Sequence, residues 1–268
     1  MHLAAAFLYF SSNRNDRSEF TQRWSRKLLA ILGVRLDAAA VRVAPGTLVV
    51  ANHVSWLDVF VLSAICPATF VAKSEIRAWP LIGWLLARHD TLFVQRRIGR
   101  HLLHLNETIG ARLAAGEIVG FFPEGTTTGG ADLLPFRPAL FEPAVRGAHP
   151  ARPFVLAYRD ASGRRCEEAA FVKQQNLWQS LLAIISLPGI VASVGTCPPI
   201  PTQGLTRRDA ARRAQAAVQA RLCGGSNLPE RQKPAPTPAG LAGSASAPGT
   251  APSSAAPIWD SRAAVSRA

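Results

Sequence analysis

Residues 47–58 read TLVVANHVSWLD, in which an apolar run ends at Ala51 and a polar stretch begins at Asn52. Thr47 to Ala51 is rich in valine and predicts a buried strand. His53 follows that strand, at the position where α/β proteins place their functional sites. In one continuous helix, His53 and Asp58 would lie on diverging faces. We therefore predict that His53 lies in a turn and that Asp58 lies in the first turn of a helix capped by Ser55.

Ser55 and Asp58 also have a purely structural interpretation. Their spacing is close to that of a capping box, in which the later side chain returns to the amide of the cap. A helix capped by Ser55 would begin at Trp56. Asp58 would then only start a helix, and His53 would only be a polar residue at a strand end. These residues alone leave both interpretations open.

A second polar turn follows another apolar strand. Residues 121–128 read FFPEGTTT, in which Pro123 ends the strand and Gly125 permits a sharp turn. The turn presents the carboxylate of Glu124 and several hydroxyls, the first of them on Thr126. A loop of small polar residues with free amides can hold an anionic or polyol head group. Two strands that each end in such a turn favour a functional site over two unrelated turns.

Strands and helices alternate along the rest of the chain. Strands are predicted at residues 69–72, 91–94, 118–122, 154–158 and 190–196, and helices at 20–36, 79–87, 98–114 and 207–222. Gly116 follows the third of these helices, where it can end it at C′. This alternation predicts an α/β fold, a single domain with a mixed, largely parallel sheet flanked by helices.

The two ends of the chain differ from this predicted domain, residues 37–223. Residues 1–36 are predicted to be a membrane-interacting helical segment, in which a short apolar stretch precedes a basic amphipathic helix. That apolar stretch, residues 2–10, is far shorter than the ~20 residues that a membrane span requires. Residues 224–268 contain 30 Ala, Gly, Pro or Ser among 45 and predict a disordered tail.

The charge of the chain favours a membrane partner. A formal charge of +13 over 268 residues favours an anionic partner. The sequence has no zinc-finger spacing and no RRM-type motif, and only two tyrosines could stack on bases, so we predict a membrane surface and no nucleic acid. The four cysteines show no metal-ligand spacing and indicate reduced thiols in a cytosolic compartment.

One uncharged stretch, Leu177 to Gly195, reaches spanning length. Pro188 and Gly189 divide it, so we predict a buried helix followed by a strand, although transmembrane helices tolerate such residues. Membrane association is accordingly predicted to be peripheral, on the cytoplasmic face.

NHVSWLD at residues 52–58, followed by FPEGT at 122–126, resembles two sequence blocks of the glycerolipid, or 1-acyl-sn-glycerol-3-phosphate (lysophosphatidic acid), acyltransferase family. Two further blocks are similar, TLFVQR at 91–96 and RPFVLA at 152–157. The resemblance covers about residues 20–222.

The resemblance implies transfer of an acyl group from acyl-CoA or acyl carrier protein to the hydroxyl of a lysolipid. His53 would be the general base, Asp58 would hold its tautomer, and the acceptor hydroxyl would attack the thioester directly. No metal and no cofactor is implied. The residues that would bind the acceptor are Arg96, Pro123, Glu124, Gly125 and Thr126. Arg96 follows the strand predicted at residues 91–94, which we expect to run beside the strand that ends at His53.

The acceptor is predicted from two places where the chain differs from the family's sequence pattern and one residue that agrees with it. The chain has His89-Asp90 where the family usually has a glycine, and Thr127 where it often has arginine. Because Arg96 is retained, we predict 1-acyl-sn-glycerol-3-phosphate as the acceptor, with phosphatidic acid as the product in phospholipid biosynthesis. Lyso-ornithine lipid or another lysolipid is the alternative, since family members that acylate it are similar at Trp56 and in the paired threonines.

Two other classes of function compete with the acyltransferase. A hydrolase could use His53 and Asp58, with or without a metal, but no further His, Asp or Glu cluster has ligand spacing. A catalytically inactive membrane-binding protein is consistent with the charge and with the departures at residues 89, 90 and 127.

Overall fold

Seven short runs form one sheet in the part of the chain that the computed structural model describes, residues 14–78, 83, 91–94, 99–172 and 176–224. The strands are β1 (Val34–Ala38), β2 (Leu48–Ala51), β3 (Ala68–Lys73), β4 (Leu92–Val94), β5 (Ile118–Phe121), β6 (Ala151–Asp160) and β7 (Ile190–Thr196). Their order is β1-β7-β6-β2-β5-β3-β4. Every neighbouring pair is parallel except β6 and β7, so the predicted mixed, largely parallel sheet is confirmed.

Helices cover both faces of this sheet. They are α1 (Arg14–Ile31), α2 (Asp58–Ile65), α3 (Gly99–Ala114), α4 (Glu142–Arg146), α5 (Leu177–Ser186) and α6 (Arg207–Cys223), with 3₁₀ turns at Ser74–Ala78 and Pro138–Phe141. One core cluster joins α1, α2 and α5 to one face of the sheet, and a second joins α3, α4 and α6 to the other. β2 is buried on both faces, as expected for a central parallel strand.

The helix predicted over residues 20–36 is wrong in its last five residues. α1 ends at Ile31, and Gly33 follows with a φ of 69°, a conformation that glycine adopts without strain. The chain then enters β1, which pairs in parallel with β7. The boundary predicted at residue 36 therefore falls inside a strand of the sheet. Outside the described residues lie the helix predicted at 79–87, apart from residue 83, and the tail beyond residue 224.

The expectation that β4 runs beside the strand leading to His53 is also wrong. β4 pairs with β3 at the edge of the sheet, and β5 and β3 separate it from β2. Parallel strands are joined by crossovers, so order along the chain does not fix which strands are neighbours.

Residues 177–195 divide as predicted into a helix, α5, and a strand, β7. Asn176 and Gln179 form a capping box at the start of α5. The expectation that this helix is buried is wrong, because three of its large apolar side chains are more than half exposed. Within the described parts of the chain, no helix is both long and apolar enough to cross a membrane.

Candidate active site

Asn52 fixes the end of β2 against β6. Its side-chain amide donates to the carbonyl of Leu156 at 2.9 Å and accepts from the Leu156 amide at 2.7 Å. The side chain therefore adds one more rung to the β2–β6 ladder after Ala51, and the chain turns away at His53. This explains why His53 occupies a defined position although it lies outside any strand or helix.

His53 and Asp58 contact each other as predicted. Nδ1 of His53 lies 2.8 Å from Oδ2 of Asp58, which is the first residue of α2. The Asp58 side chain is fully buried, whereas that of His53 is 20% exposed. An ionised carboxylate can only accept, so it selects the tautomer in which Nδ1 carries the proton and Nε2 carries the lone pair.

Asp58 also organises the turn that precedes α2. Its Oδ2 accepts from the backbone amides of Val54 at 2.7 Å and Ser55 at 3.0 Å. The same carboxylate thus makes the amide contact of a capping box and the His53 contact that the catalytic interpretation requires. The predicted start of the helix is wrong, since α2 begins at Asp58 and Leu57 is its N-cap; the Ser55 hydroxyl lies 3.4 Å from the Leu57 amide.

Tyr158 completes the environment of Asp58 and was not predicted. Its hydroxyl donates to the other carboxylate oxygen, Oδ1, at 2.6 Å. Tyr158 lies on β6, two residues beyond the rung made by Asn52, and is buried. Burial, reinforced by the neighbouring Asp58 charge, raises the pKa of Tyr158 well above its usual value, so the phenol stays protonated and acts as a donor.

Glu124 connects the second predicted turn to His53. One carboxylate oxygen accepts from the His53 amide at 2.7 Å, and the other accepts from the Leu134 amide at 2.9 Å. Glu124 is buried, and this burial raises the pKa of its carboxyl. The carboxylate predicted to bind the acceptor is therefore engaged by two backbone amides, and it holds the His53 loop in place.

The rest of the turn wraps around the same loop. Gly125 has a φ of 69°, which confirms the sharp turn. The Thr128 amide donates to the His53 carbonyl at 2.8 Å, and the Thr127 hydroxyl donates to the Phe171 carbonyl. Thr126 is exposed, and no described residue accepts a hydrogen bond from its hydroxyl or its amide.

Arg137 supplies a cation to this turn. Its amide donates to the Pro123 carbonyl at 2.9 Å. Its guanidinium covers Gly125 so closely that a methyl group on this glycine would lie 3.4 Å from Nε. No described residue forms an ion pair or hydrogen bond with the guanidinium. No sequence motif indicates this contact, because it depends on residues 128–137 folding back onto the turn.

Aromatic rings form one wall beside His53. The imidazole stacks on Phe122 with ring centroids 4.1 Å apart and an angle of 10°, and Phe122 stacks in turn on Phe70 at 5.9 Å. The sequence indicated Phe122 only as part of a strand end. Stacking leaves an edge of the imidazole available, and no described residue hydrogen-bonds to Nε2.

Among the described residues, no group of three or more His, Cys, Asp or Glu side chains could hold a metal ion. Burial raises the pKa of Cys66 to about 12 and raises those of Cys166 and Cys197, so these thiols are poor nucleophiles near neutral pH. Arg96, predicted to contact the acceptor, lies outside the described residues.

A family model and several known proteins match the part of the sequence that carries this site. A family model described as Acyltransferase matches residues 36–157. A lyso-ornithine lipid O-acyltransferase of Pseudomonas aeruginosa is 36% identical over 208 residues, which are 78% of this chain and 80% of the relative. A 1-acyl-sn-glycerol-3-phosphate acyltransferase of Neisseria meningitidis is 39% identical over 150 residues, which are 54% of this chain and 58% of the relative.

The fold has a counterpart among solved structures. The crystal structure of the 1-acyl-sn-glycerophosphate acyltransferase from Thermotoga maritima aligns with a TM-score of 0.60 at 18% identity, covering 84% of this chain and 88% of that chain. His53, Asp58 and Glu124 all lie inside the region that the family model matches. With four fifths of a relative matched at 36% identity, the chain belongs to the acyltransferase family and is an acyltransferase.

Proposed function

We propose that the protein transfers a fatty acyl group from an acyl thioester to the free hydroxyl of a lysolipid, with His53 as the general base. The observation that carries this proposal is the 2.8 Å contact between His53 Nδ1 and the buried Asp58 carboxylate. This contact leaves Nε2 as the basic nitrogen, on a partly exposed ring. A neutral imidazole is the side chain best suited to accept a hydroxyl proton near pH 7.

The proposed reaction needs no catalytic group besides the side chains of this protein. The acceptor oxygen attacks the thioester carbon while its proton passes to Nε2 of His53. The tetrahedral intermediate collapses, the carbon–sulfur bond breaks, and the imidazolium returns the proton to the leaving thiolate. The products are the ester and the free thiol of the carrier. Asp58 stabilises the imidazolium while it exists and keeps the ring in its orientation.

The turn after β5 is proposed to bind the acceptor head group. Thr126 offers a hydroxyl and an amide, and the Arg137 guanidinium lies over the adjacent Gly125. A guanidinium can bind either a phosphate or a carboxylate at two points. Pro123 and Glu124 shape this turn through their backbone and carboxylate contacts. Arg96 stays a predicted second cation of the head-group site.

Lyso-ornithine lipid is the acceptor that we propose first. The relative of that name from Pseudomonas aeruginosa matches this chain over most of both sequences. The head group of lyso-ornithine lipid carries a carboxylate rather than a phosphate, which would explain why Thr127 can replace an arginine in this chain. The Thr127 hydroxyl bonds to the Phe171 carbonyl, so this residue supports the structure of the turn.

1-Acyl-sn-glycerol-3-phosphate, the acceptor predicted first from the sequence, becomes the second candidate. The Neisseria meningitidis relative of that specificity is slightly more identical, but the match covers about half of each chain. Arg137 could bind the phosphate of this acceptor as readily as a carboxylate.

The test offers the protein two labelled acyl donors, acyl-CoA and acylated acyl carrier protein. Each donor is combined with lyso-ornithine lipid or with lysophosphatidic acid. We expect ester formation on lyso-ornithine lipid at a higher kcat/KM than on lysophosphatidic acid, with release of one thiol per ester. Acylation of lysophosphatidic acid alone would reverse the order of acceptors and leave the mechanism intact. Release of free fatty acid without ester would instead indicate a thioester hydrolase.

A further inference from the structure

We propose that the outer face of α5 docks the protein on a bilayer that contains anionic lipids. This docking face consists of Trp178, Leu182 and Ile185, which are 58%, 61% and 52% exposed. The inference rests on the proposed function to the extent that the acceptor is a lipid that resides in such a bilayer.

The spacing of these three residues places them on one side of the helix. Positions i, i+4 and i+7 share a face, and the opposite side carries Ile184, which is buried in the core. α5 contains no charged residue. Single exposed apolar residues are ordinary, but a contiguous apolar face indicates an interaction surface. Tryptophan in particular favours the boundary between lipid head groups and acyl chains.

The charge distribution identifies the partner as an anionic bilayer. α1 packs against the same core cluster as α5 and therefore lies on the same face of the sheet. Its exposed residues include the cations Arg23 and Lys27. Apolar side chains with tryptophan, accompanied by basic residues, are the composition that binds interfacial membrane surfaces. A net charge of +13 adds a long-range attraction to anionic lipid.

α5 is attached directly to the His53 loop. Nε1 of Trp56 donates to the Ser180 hydroxyl of α5 at 3.1 Å. Just upstream of α5, the Phe171 amide donates to the Val54 carbonyl at 2.8 Å, and the Phe171 carbonyl accepts from Thr127. A bilayer bound at the docking face would thus lie beside the elements that hold the base and the head-group turn. A lysolipid could then reach His53 without passing through water.

The test compares Leu182→Gln/Ile185→Gln with Leu103→Gln in the full-length protein. Leu103 is a matched control because it is 65% exposed on α3, which packs on the other face of the sheet. Flotation with phosphatidylcholine–phosphatidylglycerol vesicles measures binding. We expect the double variant to lose at least about tenfold in vesicle partitioning, and the control to bind like wild type. Because the replaced side chains are exposed, both variants should keep the wild-type melting temperature.

Unchanged partitioning of the double variant, or an equal loss in the control, would overturn the docking proposal. The proposal would also be overturned if the wild-type protein is a dimer and the double variant is a monomer, since the face would then bind a second copy of the chain. Activity on lysolipid below its critical micelle concentration is measured in parallel and should be equal in all three proteins. Absence of transfer by wild type would count against the proposed function, whereas the vesicle result would still decide the docking face.

A separate observation supports a second proposal: we infer that Tyr158 is a positioning residue for the reaction, acting on His53 through Asp58. The Tyr158 hydroxyl is 2.6 Å from Oδ1, and Oδ2 faces His53. Both Tyr158 and Asp58 are buried, so no water replaces this donor. The hydrogen bond fixes the plane of the carboxylate and withdraws part of its charge from the imidazole.

Removing the hydroxyl should change the basicity of the pair. In Tyr158→Phe the carboxylate would present more negative charge to the imidazolium and stabilise it more strongly. Among the residues that the structure describes, the carboxylate of Glu124 also faces this loop, and the substitution leaves it in place. We expect the acid limb of the kcat/KM profile to move up by about one pH unit. The kcat at pH 7 should fall by roughly tenfold with little change in KM.

Thr202→Val is the matched control. Thr202 is also buried, and its hydroxyl lies 2.7 Å from the His149 carbonyl and 2.9 Å from the Ala144 carbonyl, one of which accepts its proton. Both variants should melt at a lower temperature than wild type, but only Tyr158→Phe should shift the acid limb. An unshifted limb in Tyr158→Phe would reduce Tyr158 to a packing residue and overturn the proposal.

A second measurement covers the case in which Tyr158→Phe does not fold. The chain has only two tyrosines, so 3-fluorotyrosine incorporated into a Tyr9→Phe protein labels Tyr158 alone. The more acidic phenol is a stronger donor and should move the acid limb to lower pH than in unlabelled Tyr9→Phe protein. A limb that stays in place or moves upward would contradict the proposed role.

Discussion

At the scale of single residues, one carboxylate meets two demands that the sequence presents as alternatives. Asp58 accepts from two backbone amides in front of α2 and from the imidazole of His53. Because the turn and the proposed catalytic pair share this carboxylate, folding of the helix start also orients the imidazole of His53. Asp58 should therefore tolerate no substitution that replaces an acceptor with a donor.

Asp58→Asn tests this dependence. The asparagine NH₂ would either face the imidazole N–H and the two backbone amides, which are all donors, or force the buried Tyr158 hydroxyl to accept instead of donate. We expect kcat to fall by roughly 10²-fold or more and the free energy of unfolding by about 2–4 kcal/mol. Steady-state rates and urea unfolding measure the two effects. A variant with wild-type kcat would show that the imidazole needs no orienting carboxylate.

Glu124 should give the protein a distinctive pH dependence. Burial raises the pKa of Glu124 above 4.5, so the folded state holds the proton more tightly than the unfolded state. The contribution of this group to stability is then fully present below pH 4.5 and is lost as pH rises through the raised pKa. The difference in melting temperature, wild type minus Glu124→Gln, should therefore decrease as the pH rises from 4.5 through the raised pKa of Glu124.

Glu107→Gln provides the background for that comparison, because Glu107 is 74% exposed on α3. A difference between wild type and Glu124→Gln that grows with pH across the same window would contradict the assigned effect of burial.

At the scale of elements, the turn after β5 determines how the His53 loop is held. Residues 123–137 contact that loop through Glu124 and Thr128 and return over the turn at Arg137. Gly125, with its left-handed backbone, lies in the middle of these contacts.

Gly125→Ala should disturb both the turn and the base. A side chain in this backbone conformation costs roughly 1–2 kcal/mol, and the added methyl would contact Arg137 at 3.4 Å. We expect a lower melting temperature and, through misplacement of Glu124 and His53, a loss of about tenfold or more in kcat/KM. Gly129→Ala is the control in the same loop, since nothing lies within 4 Å of a methyl group there. Equal effects of the two substitutions would refute the special role of Gly125.

The elements that could be predicted from the sequence are those determined by residues close together along the chain. β7 was predicted with its observed bounds, because a valine-rich run follows Pro188-Gly189. β1 was missed because its charged residues continue the polar and apolar spacing of the helix before Gly33. The His53–Asp58 contact was predictable because a five-residue separation across a turn leaves few geometries. Tyr158 and Arg137 were not predictable, since their contacts depend on which strand lies beside β2 and how a loop folds back.

At the scale of the whole molecule, charge and apolar surface act together. The net charge of +13 attracts an anionic bilayer over roughly 8–10 Å at physiological ionic strength, whereas apolar contacts act only on touching. Membrane association that is peripheral should therefore have a salt-sensitive part and a salt-resistant part.

Raising the salt concentration should release a fraction of the protein from anionic vesicles, and carbonate at high pH should release nearly all of it. Sedimentation of vesicles after each wash measures the bound fraction. Protein that resists both treatments would be embedded in the bilayer, contrary to the peripheral association that we propose.

The central claim is that His53 is the base that activates the acceptor hydroxyl. The most direct test is kcat of His53→Ala with labelled acyl thioester and the preferred lysolipid, alongside its melting temperature. His53 follows a strand and is partly exposed, so the variant should fold. We predict that kcat falls by roughly 10²- to 10⁴-fold while the melting temperature stays close to that of wild type. A folded variant that keeps more than about a tenth of wild-type kcat would contradict this assignment.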